Sequence, residues 1–151
     1  KEIMDAINPV TRPKDRRVFH GGTFNGHPTV LAAGMATLDV LESPKTYPAL
    51  NRISDKLRNG FNDLFARMGV GAKAIGPYST FNIVFTKGKI SDYRDAATCD
   101  AKMRQMLDFG MLARGIHFHP DKPFYTCTEH SERDVDTTLK MAEEVLKKMR
   151  V

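Results

Sequence analysis

Apolar residues recur with helical period over three long stretches of the chain. Leu31, Met35, Leu38 and Leu41 are spaced by four, three and three, with Ala32, Ala33, Gly34 and Ala36 between them. That spacing predicts a helix entered at Pro28, a residue suited to a first helical position, and ended by Ser43-Pro44. Leu50, Ile53, Leu57, Phe61, Leu64 and Met68 mark a second helix, from about Pro48 to Met68, closed by Gly69 and Gly71. Val135, Leu139, Ala142, Leu146 and Met149 mark the last, opened by the capping-box spacing of Ser131 and Asp134.

Between these, the period changes. Residues 72–76 and 80–86 read as strands, with Phe81, Ile83 and Phe85 on one face and Asn82 and Val84 on the other. Lys87-Gly88-Lys89 is a turn and residues 90–98 look irregular. A helix from Asp100 to Ala113 carries Met103, Met106, Leu107 and Met111, and the methionines at helical spacing read as core filler. Ile116 and Phe118 alternate with His117 and His119 as in a strand, and Phe124–Thr128 gives another. Residues 1–9 read as the tail of a helix stopped by Asn8-Pro9, and 10–20 as irregular. The sum is an α+β fold, with helices packed on a short, mainly antiparallel sheet and a long helix before it.

Composition narrows the function. The 151 residues suffice for one domain with a modest core, and 41% hydrophobic with 27% charged residues is ordinary for a soluble globular chain. No apolar run could cross a bilayer, no signal peptide is visible, and a cytoplasmic location is expected. The net charge of +5 is dispersed: only Arg16-Arg17 and Lys147-Lys148 are close pairs, so no nucleic-acid face is expected. Glu143-Glu144 and Lys147-Lys148 at i, i+4 read as a solvated helix face. Cys99 and Cys127 lack metal-ligand spacing and read as free thiols. The chain does not start with Met and opens mid-pattern, as a fragment or processed product would.

The richest chemistry lies in Gly21-Gly22-Thr23-Phe24-Asn25-Gly26-His27-Pro28. Adjacent glycines can take positive φ and let the backbone approach an anion, Thr23 offers a hydroxyl, and a helix N-terminus follows. The same residues also suit a plain glycine turn before a helix. His117 and His119, on one strand face, with His130 beyond, could begin a metal site or form a polar sheet edge.

His20–Pro28, followed by Leu31-Ala-Ala-Gly-Met-Ala-Thr-Leu38, resembles class III pyridoxal-phosphate aminotransferases. It is most similar to the glutamate-1-semialdehyde 2,1-aminomutase branch. Lys1-Glu-Ile-Met-Asp5 resembles the helix closing that family's large domain, and His130–Leu139 the opening of its last helix. The resemblance implies an enzyme that moves an amino group by imine exchange on a small amino-acid or amino-aldehyde substrate. It implies pyridoxal 5'-phosphate as cofactor and a homodimer in which Thr23, with Gly22 beside it, contacts the phosphate bound by the other subunit. It further implies that residues 1–28 end the large domain, 29–42 form a linking helix and 43–151 form the C-terminal small domain of a fold-type I enzyme.

Departures from the pattern are equally specific. The family's Schiff-base lysine would lie before Lys1, and no lysine here has its local context, so no catalytic residue is assigned and the piece alone is expected to be inactive. His27 stands where Asn is usual. Residues 116–128 hold no Arg to grip a substrate carboxylate, only Lys122, which suits the aminomutase branch better than an ordinary keto-acid aminotransferase. Two other readings stand beside this one: a non-catalytic α+β assembly or binding module, and a basic nucleic-acid module.

Overall fold

The computed structural model describes residues 2–149, and Lys1 of the Lys1–Asp5 motif lies outside them. The chain divides into two compact units, one through Glu42 and one from Ser43.

The first unit holds α1 (Glu2–Asp5), a single 3-10 turn at Lys14–Arg16, and α2 (Pro28–Glu42). α1 is short because Ala6 and Ile7 leave the helix in a turn before Pro9. The Asp5 carboxylate gathers the next loop by accepting hydrogen bonds from the Thr11 hydroxyl and from Arg12 Nε at 3.0 Å. Those bonds, Thr11 first, hold Asp5 below its ordinary value. The Val18 amide donates to Ala6 O at 2.9 Å and returns the chain to α1.

The second unit holds α3 (Thr46–Met68), β1 (Ala72–Ile75), β2 (Thr80–Phe85), α4 (Tyr93–Ala97), α5 (Ala101–Leu112), β3 (Phe124–Tyr125) and α6 (Glu132–Lys148). The sheet order is β1-β2-β3, antiparallel throughout, with Ala72 opposite Phe85 and Phe81 opposite Phe124. The α+β expectation therefore holds. α3 ends where Gly69 turns left-handed at φ 67°, a conformation that costs a side chain-bearing residue about 1 kcal/mol or more.

The core lies where α3, α5 and α6 meet the sheet. Phe61, Phe65, Phe81, Ile83, Leu107, Met111 and Leu146 are essentially fully buried there. Phe61 stacks against Phe65, Phe81 and Phe118 with ring centroids 5.8–6.3 Å apart. Each such ring contributes about 1.5–3 kcal/mol through burial. At the rim, Lys56 bridges Glu132 and Asp136, and Arg52 also reaches Glu132, linking α3 to the first turn of α6.

Three expectations are corrected. Residues 90–98 are not wholly irregular: Asp92 and Asp95 form a reciprocal capping box that starts α4. Its five residues are too few to show a hydrophobic period, although the Asp-x-x-Asp pair was a readable start signal. Residues 116–119 alternate as expected, with Phe118 buried and both histidines exposed, but they form no strand. Alternation sets which way side chains face, while a strand also needs a neighbour for its backbone groups. Likewise Phe124–Thr128 contracts to Phe124–Tyr125.

On α5, Met106 is 41% exposed, contrary to its reading as core, whereas Arg104 and Asp108 are buried. Arg104 Nε donates to both Asp108 oxygens at 2.8 and 3.0 Å. Its Nη1 donates to Asn82 Oδ1 and, at 2.9 Å, to Ile83 O, and Nη2 to Lys122 O at 2.8 Å. The guanidinium lies 4.7 Å from the Phe124 ring centroid. A charge can occupy the interior when its partners are this complete.

Candidate functional site

The loop before α2 is built from local bonds. The Asn25 amide donates to Gly22 O at 3.3 Å and the His27 amide to Phe24 O at 3.0 Å, giving two overlapping turns. Asn25 Nδ2 lies 3.3 Å from His20 Nε2 across the loop, and Phe24 meets His27 edge-on at 6.1 Å. Gly26 takes φ 75°, where a β-carbon would be disfavoured.

Gly21 and Gly22 serve a different purpose from the one expected. Neither has positive φ; the left-handed position is Gly26. A β-carbon on Gly21 would lie 2.6 Å from the Phe19 ring, and one on Gly22 2.9 Å from Asn25 Oδ1. The pair provides room for neighbouring side chains, not an unusual backbone.

His27 settles the hydrogen bonding at the position where Asn is usual. Its Nδ1 accepts from the Thr29 amide at 3.3 Å, and its carbonyl accepts from the Leu31 amide at 3.0 Å. The imidazole thus caps one of the free N–H groups at the start of α2, as a short polar side chain would. Thr23 and Gly22 are both exposed, and the Thr23 hydroxyl makes no hydrogen bond among the described residues. Beyond the loop, α2 buries none of its residues: Leu31 is 57% exposed, Met35 61% and Leu38 54%.

The histidines separate by environment. Among the described residues no three His, Cys, Asp or Glu side chains converge to hold a metal ion. His119 Nδ1 lies 3.2 Å from Pro120 O. His130 turns instead to Cys127, whose amide and sulfur lie 3.0 and 3.1 Å from Nδ1. His117, His119 and His130 line a cleft of about 450 Å³ together with Ile53, Leu57, Phe118 and Thr138. One turn on, the Ser131 hydroxyl and amide donate to Asp134 and hold its carboxyl below the ordinary value. Cys99 and Cys127 are both free thiols.

A small α+β layer preceded by a glycine-rich loop and an apolar helix is a fold found in aminotransferases. The chain matches a β-phenylalanine aminotransferase from Variovorax paradoxus with TM-score 0.78 and 29% identity, over 97% of this chain and 33% of that one. It matches an ω-transaminase from Sphaerobacter thermophilus with TM-score 0.81 and 25% identity, over 99% of this chain and 34% of that one. The fold is thus one shared with fold-type I pyridoxal-phosphate enzymes.

Among curated relatives, the chain is similar to glutamate-1-semialdehyde 2,1-aminomutase from Methanothermobacter thermautotrophicus, 34% identical over 149 residues. It is also 33% identical over 151 residues to the protein of that name from Desulfatibacillum aliphaticivorans. These alignments cover 97% and 99% of the chain and 34% of each relative, so the chain spans about a third of their length. No family model matches. Over nearly all its residues the chain is related to these aminomutases and to aminotransferases, as the motifs at 20–38 and 130–139 imply.

Proposed function

We propose that this chain is the C-terminal part of a cytoplasmic, homodimeric class III enzyme dependent on pyridoxal 5'-phosphate. Residues 1–28 end its large domain, 29–42 link, and 43–151 are its small domain. The intact enzyme moves an amino group within one small amino aldehyde or between two amino-acid substrates. The observation that carries this reading is the Thr23 hydroxyl: exposed, without a hydrogen-bond partner among the described residues, and set in the loop on which the family resemblance centres.

The loop suits one contact to a phosphate. Thr23 donates its O–H to a phosphate oxygen of the cofactor held by the neighbouring subunit, and Gly22 beside it adds a backbone contact. Gly26 fixes the return of the chain, and His27 caps α2 so that the loop holds its shape without the phosphate. Pyridoxal phosphate, when bound, supplies the electron sink for bonds at the amino-bearing carbon. No lysine here is assigned to the cofactor, so the chain supplies a phosphate contact and not the reacting amine.

In the longer enzyme bearing this sequence, Thr23→Val is expected to weaken cofactor affinity roughly tenfold to a hundredfold, the worth of one hydrogen bond to a charged group. Spectroscopic titration of the cofactor-free enzyme measures it, and an unchanged Kd overturns the assignment. The 151-residue chain mixed with pyridoxal phosphate should give no visible-edge absorbance band and no stoichiometric reduction-trapped lysine. Either signal would contradict the missing-amine reading.

An assembly role without catalysis is favoured by the exposure of Leu31, Met35 and Leu38 on α2. It requires self-association of the chain, and a clean monomer by light scattering at high concentration counts against it.

A further inference from the structure

Arg104 and Asn82 keep donors that the fold does not use. Arg104 Nη2 carries two N–H groups and meets one acceptor, Lys122 O at 2.8 Å. Its second N–H has no partner among the described residues. Arg104 is only 6% exposed, so this spare donor is held inside the fold, where an unmet hydrogen bond is costly. Asn82 Oδ1 accepts from both Arg104 and the Ile83 amide, which fixes the orientation of the side-chain amide. Nδ2 is left with no acceptor among the described residues.

Both side chains line a cleft of about 400 Å³ formed by β2, α4 and the start of α5. That volume suits a compact molecule of one or two rings. Asp121 lines the same cleft. Asp108 accepts from Arg104 Nε and, at 3.1 Å, from the Asp121 amide, so Asp121 is fixed close to the guanidinium. Asp121 turns left-handed at φ 57° and gives Oδ2 to Gln105 Nε2 at 3.3 Å, which leaves Oδ1 as an open acceptor. Tyr93 on α4 adds an aromatic ring to the lining, on a residue 85% exposed. Charge selects further. Asp108 already neutralises Arg104, while Asp100 and Asp121 both line the cleft, so an anion is disfavoured there.

We propose that this cleft binds a small, neutral, planar heterocycle through an amide edge, a C=O acceptor beside an N–H donor. The carbonyl oxygen accepts from Arg104 Nη2 and Asn82 Nδ2, the ring N–H donates to Asp121 Oδ1, and the ring lies on Tyr93. A ligand lacking either polar group leaves a protein group unpaired, which is the source of selectivity. The bonds from Arg104 to Asp108, Asn82, Ile83 and Lys122 hold the guanidinium still before a ligand arrives, so binding orders little. All the lining residues belong to the second unit, and the inference does not depend on the Thr23 reading.

The test titrates the isotope-labelled full chain with 2-quinolone, a two-ring lactam, and follows it by NMR. Saturable binding is expected with a Kd of roughly 0.1–1 mM, and with the largest shifts at the Asn82 side-chain amide and Arg104 Nε–H. N-methyl-2-quinolone keeps the rings and the carbonyl but lacks the donor, and it should bind roughly tenfold more weakly. Asn82→Asp keeps an oxygen for Arg104 and Ile83 while removing the Nδ2 donor. Asp121→Gly suits the left-handed backbone and removes the carboxylate. Each should weaken 2-quinolone roughly tenfold. Tyr93→Ala, at an exposed position that the core does not need, should weaken it roughly threefold and tests the site even where a cleft variant fails to fold. No saturation below about 10 mM, equal binding of the N-methyl compound, or shifts centred away from Asn82 and Arg104 would overturn the proposal.

Discussion

Leu31, Met35 and Leu38 on α2 and Phe61, Leu64 and Phe65 on α3 each fall along one face of a helix. The first three are more than half exposed, whereas the second three are at most 2% exposed. The difference lies in what each helix meets. α3 packs on β1, β2 and α6, whose own apolar residues arrive from up to about eighty positions away along the chain. α2 is apolar on more than one side, with Val30 and Val40 half exposed as well, and none of its residues is buried. A helix apolar nearly all round is the sequence of a helix made for an interior. One unit therefore buries its apolar residues in its own core, while α2 leaves them exposed, directly after the loop that carries Thr23.

The sharpest way to break this contrast is through the core of the second unit. Phe61→Ala should cost about 3–5 kcal/mol in denaturant unfolding, because three stacked rings lose their common neighbour. A cost below about 1 kcal/mol would mean that this unit is not packed as described. Arg104→Met should cost about 3 kcal/mol by stranding Asp108, and adding Asp108→Leu should recover much of it. If the double variant is as weak as the single one, the pair acts through packing and not through charge.

Ser131→Ala should cost about 1 kcal/mol, since it removes the reciprocal cap that starts α6. The partner in that cap gives a pH signature. Asp134 is lowered from 3.8 by its bonds to Ser131, so its contribution is present above the unfolded value and is lost as pH falls through the lower folded value. The Tm difference between wild type and Asp134→Asn should persist at neutral pH and close only below about pH 4.

The smallest effect is expected on α2. Leu31→Ser, Met35→Ser and Leu38→Ser together should change unfolding of the second unit by less than about 0.5 kcal/mol while lowering self-association measured by light scattering. A large loss of stability would show that the two units do not use their apolar residues differently.

Much of this was legible in the residues. The spacing of Leu50 to Met68 placed α3 within two residues of its start and at its end, and Ser131 with Asp134 located the start of α6. The alternation of Phe81, Ile83 and Phe85 identified β2, although Val84 on the other face is buried too, in a cleft it shares with Tyr93 and Ala96 of α4. Less legible were Arg104 and Asp108. Their i, i+4 spacing looks like any solvated ion pair, and it is partners from two other segments, Asn82 and Ile83 on β2 and residues 121–124, that let the pair be buried.

The sequence by itself determined where the four long helices start and stop, though not the short α4, which faces are apolar, and which loop has the residues to meet a phosphate, because these depend on neighbours a few positions away. Tertiary structure decided which apolar faces are buried, that Gly26 and not the Gly21-Gly22 pair turns left-handed, and that His27 caps α2. It also decided that a charged pair could enter the core in place of Met106. Those outcomes rest on distances between segments and on the exclusion of water, which no local pattern encodes.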